Sequence, residues 1–209
     1  MILTKYKHAC FTLAHNGETL VVDPGKFADD FTPDNTITAI IITHEHFDHF
    51  DIPTVEAILQ QSPDAIIYAH PTITQQLSGM NVVAVNAGDV RQAGSFKLEF
   101  FGGQHAVIHE NLPPIPNLGV LINNSIYYPG DSFIAPQKSI PVLALPVTAP
   151  WLKISETLAL LKSVSPRLAF PTHDAIASDE GKLIVDTMIS AEAKKLGIDY
   201  QRLTEPIEI

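Results

Sequence analysis

The sequence predicts a layered domain of the α/β or α+β class, with helices lying outside sheet, and three observations predict it. Short β-branched runs at Val21-Val22, Ile40 to Ile42, Ile66-Ile67 and Val82 to Val85 are bounded by Gly, Pro, Asn and Asp, the pattern of buried strands. Segments with helical start and stop signals alternate with these runs or follow them. The 209 residues are 45% hydrophobic and 17% charged, enough apolar material for a sizeable interior, and no charge block, low-complexity tract or Gly/Ser linker divides them. Residues 1–209 are therefore read as a single domain.

Phe11 to His15 and Glu18 to Val22 flank Asn16-Gly17, two residues that tolerate positive φ and so suit a type I′ hairpin. The apolar run Ala39 to Ile42 is a further strand. Asp51 is placed to cap a helix with Pro53 in its first turn and Val55, Ile58 and Leu59 on one side. A short helix is expected from about Pro71, then strands at Asn81 to Val85 and Phe96 to Phe101. From His105 to Leu118 the prolines 113, 114 and 116 remove backbone donors, which predicts a long and partly rigid loop. Leu118 to Ile122 and Ser125 to Tyr128 form a second expected hairpin around Asn123-Asn124, followed by a buried strand at Val142 to Leu145. A helix around Ser155 to Ser163, a strand around Leu168 to Phe170 and a helix from Asp179 to Leu196 come next, with Gly197 as the stop signal. Tyr200 to Leu203 is expected to be a closing strand.

Composition excludes several functions. No stretch approaches the ~20 apolar residues of a bilayer span, and Lys5, Lys7 and His8 interrupt the region where a secretory signal would need its apolar segment, so a cytoplasmic location without membrane contact is expected. The net charge of −10 repels nucleic acid, leaving a small molecule as the expected partner, with a homo-oligomer left open. The single cysteine, Cys10, can form neither an internal disulfide nor a thiolate cage; alternating with Phe11 and Leu13 in an expected strand, it reads as a small buried hydrophobe. Any metal site must then use imidazole and carboxylate.

Such donors crowd into Thr43-His44-Glu45-His46-Phe47-Asp48-His49, directly after a strand. On a helix His44 and His46 would point about 200° apart and could not share an ion, whereas in a loop leaving a strand they can. The helical protease pattern His-Glu-x-x-His is also absent, because Asp48 stands where its second histidine would be. One such histidine would be an ordinary surface residue; the cluster has no packing purpose and points to metal binding.

His44-x-His46-x-Asp48-His49 resembles the signature of the metallo-β-lactamase superfamily. The other motifs of that family have counterparts in order: Asp23 after Leu20-Val21-Val22, His105 after Gly102-Gly103-Gln104, Asp131 after Pro129-Gly130, and His173 after Pro171-Thr172. The resemblance spans nearly the whole chain and implies an α+β fold, the four-layer αββα sandwich. It also implies a ligand set in which His44, His46 and His105 hold one divalent ion, Asp48, His49 and His173 hold a second, and Asp131 bridges them. Asp23 would brace the ligand loops without binding metal. The donor types suit Zn²⁺, and Mn²⁺ or Fe²⁺ accept them too. His46 replaces the glutamate of the flavodiiron branch, which favours hydrolysis.

His8-Ala9-Cys10-Phe11 and the short chain are most similar to the branch that holds ascorbate-6-phosphate lactonase. The implied activity is hydrolysis of a small ester, lactone or phosphorylated metabolite by hydroxide formed between two ions, with Asp48 orienting the hydroxide and taking its proton. The alternatives are a non-catalytic metal-binding or sensor protein on the same fold and, further off, a phosphodiesterase or nuclease. His109, four residues past His105, is expected beside the ligands, facing substrate or a carboxylate. His8 is read first as a structural histidine in an early strand, with orienting the site floor as the alternative, and His15 and His70 as surface residues.

Overall fold

In the computed structural model, which describes residues 1–209, the chain runs through fourteen strands and four helices. The first part contains β1 (Ile2–Lys5), β2 (Phe11–His15), β3 (Glu18–Val22), β4 (Ile37–Ile42), α1 (Ile52–Gln61), β5 (Ile66–Ala69), α2 (Pro71–Thr74) and β6 (Val82–Ala84). The second contains β7 (Val90–Ala93), β8 (Phe96–Gly102), β9 (Leu118–Ile122), β10 (Ile126–Tyr128), β11 (Val142–Pro146), α3 (Ile154–Val164), β12 (Leu168–Thr172), α4 (Asp179–Leu196), β13 (Asp199–Tyr200) and β14 (Ile207–Glu208). They make two seven-stranded sheets, ordered β14-β1-β2-β3-β4-β5-β6 and β13-β12-β11-β10-β9-β8-β7.

The two-residue period of the strands builds the layers. Leu20, Val22, Ala39 and Ile41 point inward and join Phe96, Leu98, Val120, Tyr128, Ala144 and Phe170 of the other sheet in a core of 23 buried residues. Their neighbours Val21, Ile40 and Ile42 point the other way, onto Val55 and Ile58 of α1. On the second sheet Leu121, Tyr127, Leu143 and Ala169 likewise face Leu160 and Leu161 of α3 and Ile189 and Ala193 of α4. The result is the αββα sandwich.

Local chemistry explains the element ends. Asn16 and Gly17 have φ of 51° and 82°, so the β2-β3 turn is the primed turn expected; Asn123 and Asn124, at 50° and 51°, make the second one. The Asp51 side chain accepts the Thr54 N–H at the start of α1. Helix α4 begins at Ser178, which accepts the Gly181 N–H, carries Asp179 and Glu180 in its first turn and Lys194 and Lys195 in its last, and stops at left-handed Gly197.

Three strands escape the sequence reading. β1 and β14 pair with each other across the chain termini, Ile2 opposite Glu208, and β7 is a short, largely polar partner of β8. The expected closing strand is corrected: it is Asp199–Tyr200 only, because the chain then turns so that Arg202 Nε reaches Asp186 Oδ2 at 3.0 Å and its guanidinium also pairs with Asp174. Strand β12 runs on through Pro171 to Thr172, which a central strand would not allow. β13 pairs only with Leu168 and Ala169, so at Pro171 no β13 partner awaits the missing donor.

β3 and β4 are parallel, and β10, β11 and β12 are parallel to one another; β8 and β10 are both antiparallel to β9. The C-terminal ends of β3, β4, β8, β10 and β12 therefore open onto one edge of the sandwich. Asp23, His44, His105, Asp131 and His173 are all carried just past those ends.

A candidate metal centre at the sandwich edge

The residues after β4 fold into tight turns in which the His49 and Phe50 N–H groups both donate to the His46 carbonyl at 2.9 Å. Asp23, buried and at φ 45°, fixes this loop from the end of β3. Its Oδ1 accepts the Thr43 N–H at 2.8 Å, and its Oδ2 accepts the Thr43 hydroxyl at 2.6 Å and His49 Nδ1–H at 2.7 Å. Gly25 lets the next loop approach closely, for a Cβ there would stand 1.9 Å from the Asp48 carbonyl oxygen.

Asp131 stands at the centre. Its Oδ2 lies 3.2 Å from His105 Nε2, 3.0 Å from His173 Nε2 and 3.7 Å from His44 Nε2, and its Oδ1 lies 3.3 Å from His49 Nε2. His46 presents Nδ1 at 3.1 Å from His44 Nε2, and Asp48 Oδ2 lies 3.5 Å from His173 Nε2. The donors gather as His44, His46, His105 and Asp131 on one side, and as His8, Asp48, His49 and His173 on the other.

The far nitrogens explain which atoms remain free. His49 Nδ1 is held by Asp23, His105 Nδ1 by the Ala106 carbonyl at 2.6 Å, His173 Nδ1 by the Thr148 carbonyl at 2.7 Å, and His44 Nδ1 lies 3.1 Å from the Thr43 hydroxyl. For His49, His105 and His173 the oxygen partner fixes a proton on Nδ1 and turns Nε2 toward Asp131.

Two features fit a bound cation. Ligand atoms around a tetrahedral ion with bonds of 2.0–2.1 Å are separated by about 3.3 Å, close to the N–O separations given above. His49 Nε2 and Asp131 Oδ1 are both fully buried without a hydrogen-bond partner, which native structures avoid unless a bound group satisfies them. Burial holds His44 well below the usual imidazole range, leaving a neutral ligand. Burial opposes charge on His49 too, but Asp131 and Asp23 outweigh it and raise its pKa well above that range. Burial likewise works against the Asp131 carboxylate, and the surrounding imidazoles, His49 first, keep it ionised. A proton on His49 thus offsets the buried carboxylates on either side of it, and a divalent ion would displace that proton.

His8 corrects its sequence reading. It lies in the turn between β1 and β2 with φ 58°, not in a strand, and its carbonyl accepts the His173 N–H at 3.1 Å and Lys5 Nζ at 2.6 Å. The Ala175 N–H points at His8 Nδ1 from 3.3 Å. A backbone N–H can only donate, so Nδ1 carries the lone pair and Nε2–H donates to Asp48 Oδ2 at 3.0 Å. Burial lowers the His8 pKa to about 4, which keeps this neutral form. His8 therefore positions Asp48 and offers no lone pair to a metal.

Asn117 was invisible to sequence reasoning. It is fully buried, its Oδ1 accepts the Asp131 N–H at 2.9 Å and its Nδ2 donates to the Pro129 carbonyl at 2.9 Å, so one amide shapes the turn that aims Asp131. Trp151 packs edge-on against His105 and His173, with ring centroids 5.4 and 5.7 Å away. His109, by contrast, is exposed; its Nδ1 accepts the Asn111 N–H at 3.1 Å, and it belongs to neither donor group. Glu45 is exposed, and His15 and His70 are half-buried and belong to neither donor group.

Two cavities adjoin the centre. One of ≈ 180 Å³ has His46 and His105 in its wall and lies under the Pro-rich loop. The other, of ≈ 600 Å³, reaches His8 and is lined by Lys5, Lys7, Lys26, Lys182 and Arg202 against Asp29, Asp30 and Asp174. No helix is long and apolar enough to cross a membrane.

Residues 2–173 match the family described as a beta-lactamase superfamily domain. Protein Rv0786c of Mycobacterium tuberculosis is 37% identical over 211 residues, covering 98% of this chain and 92% of its own. The UPF0173 metal-dependent hydrolase SSO0099 of Saccharolobus solfataricus is 25% identical over 137 residues, or 60% of this chain and 59% of its own. Among solved structures, Igni18, a metallo hydrolase from Ignicoccus hospitalis, superposes with a TM-score of 0.75 at 18% identity, covering 100% of this chain and 98% of that one. These similarities do not single out the lactonase-like branch, but a fold with two facing sheets, an edge crowded with imidazole and carboxylate, and a family match over most of the sequence agree: the chain belongs to the metallo-β-lactamase superfamily.

Proposed function

We propose that the protein holds two divalent cations, zinc by the chemistry of its donors, and hydrolyses a small ester, lactone or phosphorylated metabolite. His44, His46 and His105 would hold one ion and Asp48, His49 and His173 the other, with Asp131 between them. The observation that carries this reading is the position of Asp131, which lies within 3.0–3.7 Å of imidazoles from both groups. A bound ion pair supplies an acidified water and an electrophile for the oxygen of the scissile bond.

The chain's own residues do the rest. Asp48 is the one carboxylate of the cluster with some solvent access, its side chain 15% exposed, and His8 holds its Oδ2, so it is placed to orient the attacking water and take up a proton. Trp151 and the loop at 105–116 close two sides and limit water around the scissile bond. The lysine-lined cavity beside His8 supports retaining a phosphorylated substrate in this reading, because its cations would meet a phosphate next to Asp48.

The test joins elemental analysis with turnover of lactones, carboxylic esters, thioesters and phosphodiesters. Close to two ions per chain and an activity lost to chelator and regained with metal are expected. Fewer than one ion after full loading sinks the reading. Full loading with no turnover of any ester would favour the binding or sensor alternative.

A further inference from the structure

We propose that the ≈ 180 Å³ cavity under residues 106–114 is the seat of a compact, uncharged hydrocarbon group of the substrate, aliphatic or aromatic. This rests on the reading of the adjoining centre as hydrolytic, and it narrows the substrate class.

The lining carries it. Ala106, Ile108, Leu112, Pro113, Pro114 and Ile115 form most of the wall, and the only polar side chains in it are His46 and His105. No charged group and no hydroxyl faces the space, so a polar substituent placed there would lose water without gaining a partner. The two imidazoles belong to the donor cluster, so a group seated in the cavity lies directly beside whatever the cluster holds.

Size sets a limit. An apolar cavity of ~150 Å³ accepts a benzene ring, and ≈ 180 Å³ is slightly larger. The space suits one ring or a short chain and excludes a long acyl tail.

The wall is also preformed. Gly103 and Asn117 exchange backbone hydrogen bonds at 3.0 and 3.3 Å, and the His105 N–H donates to the Ile115 carbonyl at 2.9 Å, which staples the base of the loop. The Ala106 N–H donates to the Asp131 carbonyl at 2.8 Å and ties the loop to the centre. Pro113 and Pro114 stiffen the rim, so little ordering opposes binding. Ile108 and Leu112 are nevertheless 40% and 52% exposed, apolar surface that a hydrocarbon would cover.

Calorimetry of the metal-loaded protein with acetate, butyrate, hexanoate and phenylacetate tests this directly. Affinity should rise about fourfold per buried methylene and stop rising beyond about the volume of a ring. The double substitution Ile108→Glu and Leu112→Glu, at exposed positions, should abolish that rise while acetate affinity and metal content stay normal. Toluene, which needs no metal anchor, should shift the methyl resonances of Ile108, Leu112 and Ile115. A flat series, a rise that survives the double substitution, or toluene that leaves those methyls unmoved overturns the proposal. Loss of turnover with the chain-length rise intact would instead remove the hydrolytic reading and keep the cavity.

Discussion

His8 Nε2–H donates to Asp48 Oδ2 across 3.0 Å, joining a left-handed turn after β1 to the histidine-rich loop 40 residues later. The contact makes a testable distinction between a ligand and a positioning residue. His8→Asn keeps a residue that tolerates the left-handed turn but is too short to reach Asp48. Its kcat should fall about 10- to 100-fold with metal content near normal. Loss of one ion in elemental analysis would instead make His8 a ligand.

Asp131 touches both donor groups, whereas His105 belongs to one. Asp131→Asn should therefore weaken binding of both ions, and His105→Ala chiefly of one. Identical losses in calorimetric titrations of the two variants would contradict the separate roles.

Asn117→Ala removes the acceptor of the buried Asp131 N–H and the donor to the Pro129 carbonyl. Unsatisfied buried groups of this kind cost about 1–3 kcal/mol each. Urea unfolding should show a loss of that order, accompanied by weaker metal retention. An unchanged midpoint would mean that water replaces the amide.

Gly25→Ala would place a methyl group 1.9 Å from the Asp48 carbonyl oxygen, against backbone that cannot swing aside. Overpacking costs about 1–3 kcal/mol, and here the displacement falls on the loop carrying Asp48 and His49. Thermal unfolding should move down and metal affinity should fall together.

His109→Ala provides the contrast. The ring is exposed and bonded only to the neighbouring Asn111 N–H, so stability should change by no more than about 0.5 kcal/mol with metal content unaltered. Metal loss in this variant, with His105→Ala retaining both ions, would exchange the two roles.

The sequence by itself determined the local features. Asn16-Gly17 specifies its turn through positive φ, Ser178 and Gly197 mark the ends of α4, and β-branched runs mark the largely buried strands β3, β4 and β5, whereas the run at Val82 falls on β6, a half-buried edge strand. It also singled out the candidate donors, because His44, His46, Asp48 and His49 crowd into one loop where packing has no use for them, and the fold brings them together. Tertiary structure alone decided what depends on residues far apart in the chain. Met1 and Ile209 close the first sheet with reciprocal backbone hydrogen bonds at 2.9 Å, and no local period signals a partner 208 residues away. His8, Asn117 and Trp151 lie outside the motifs that supply the candidate ligands, and each acquires its role only when the strand ends converge on one edge. The same convergence leaves His109, so near His105 in sequence, out in solvent. A loop residue has no fixed period to aim it, and its direction is set by the hydrogen bonds that the surrounding fold makes available.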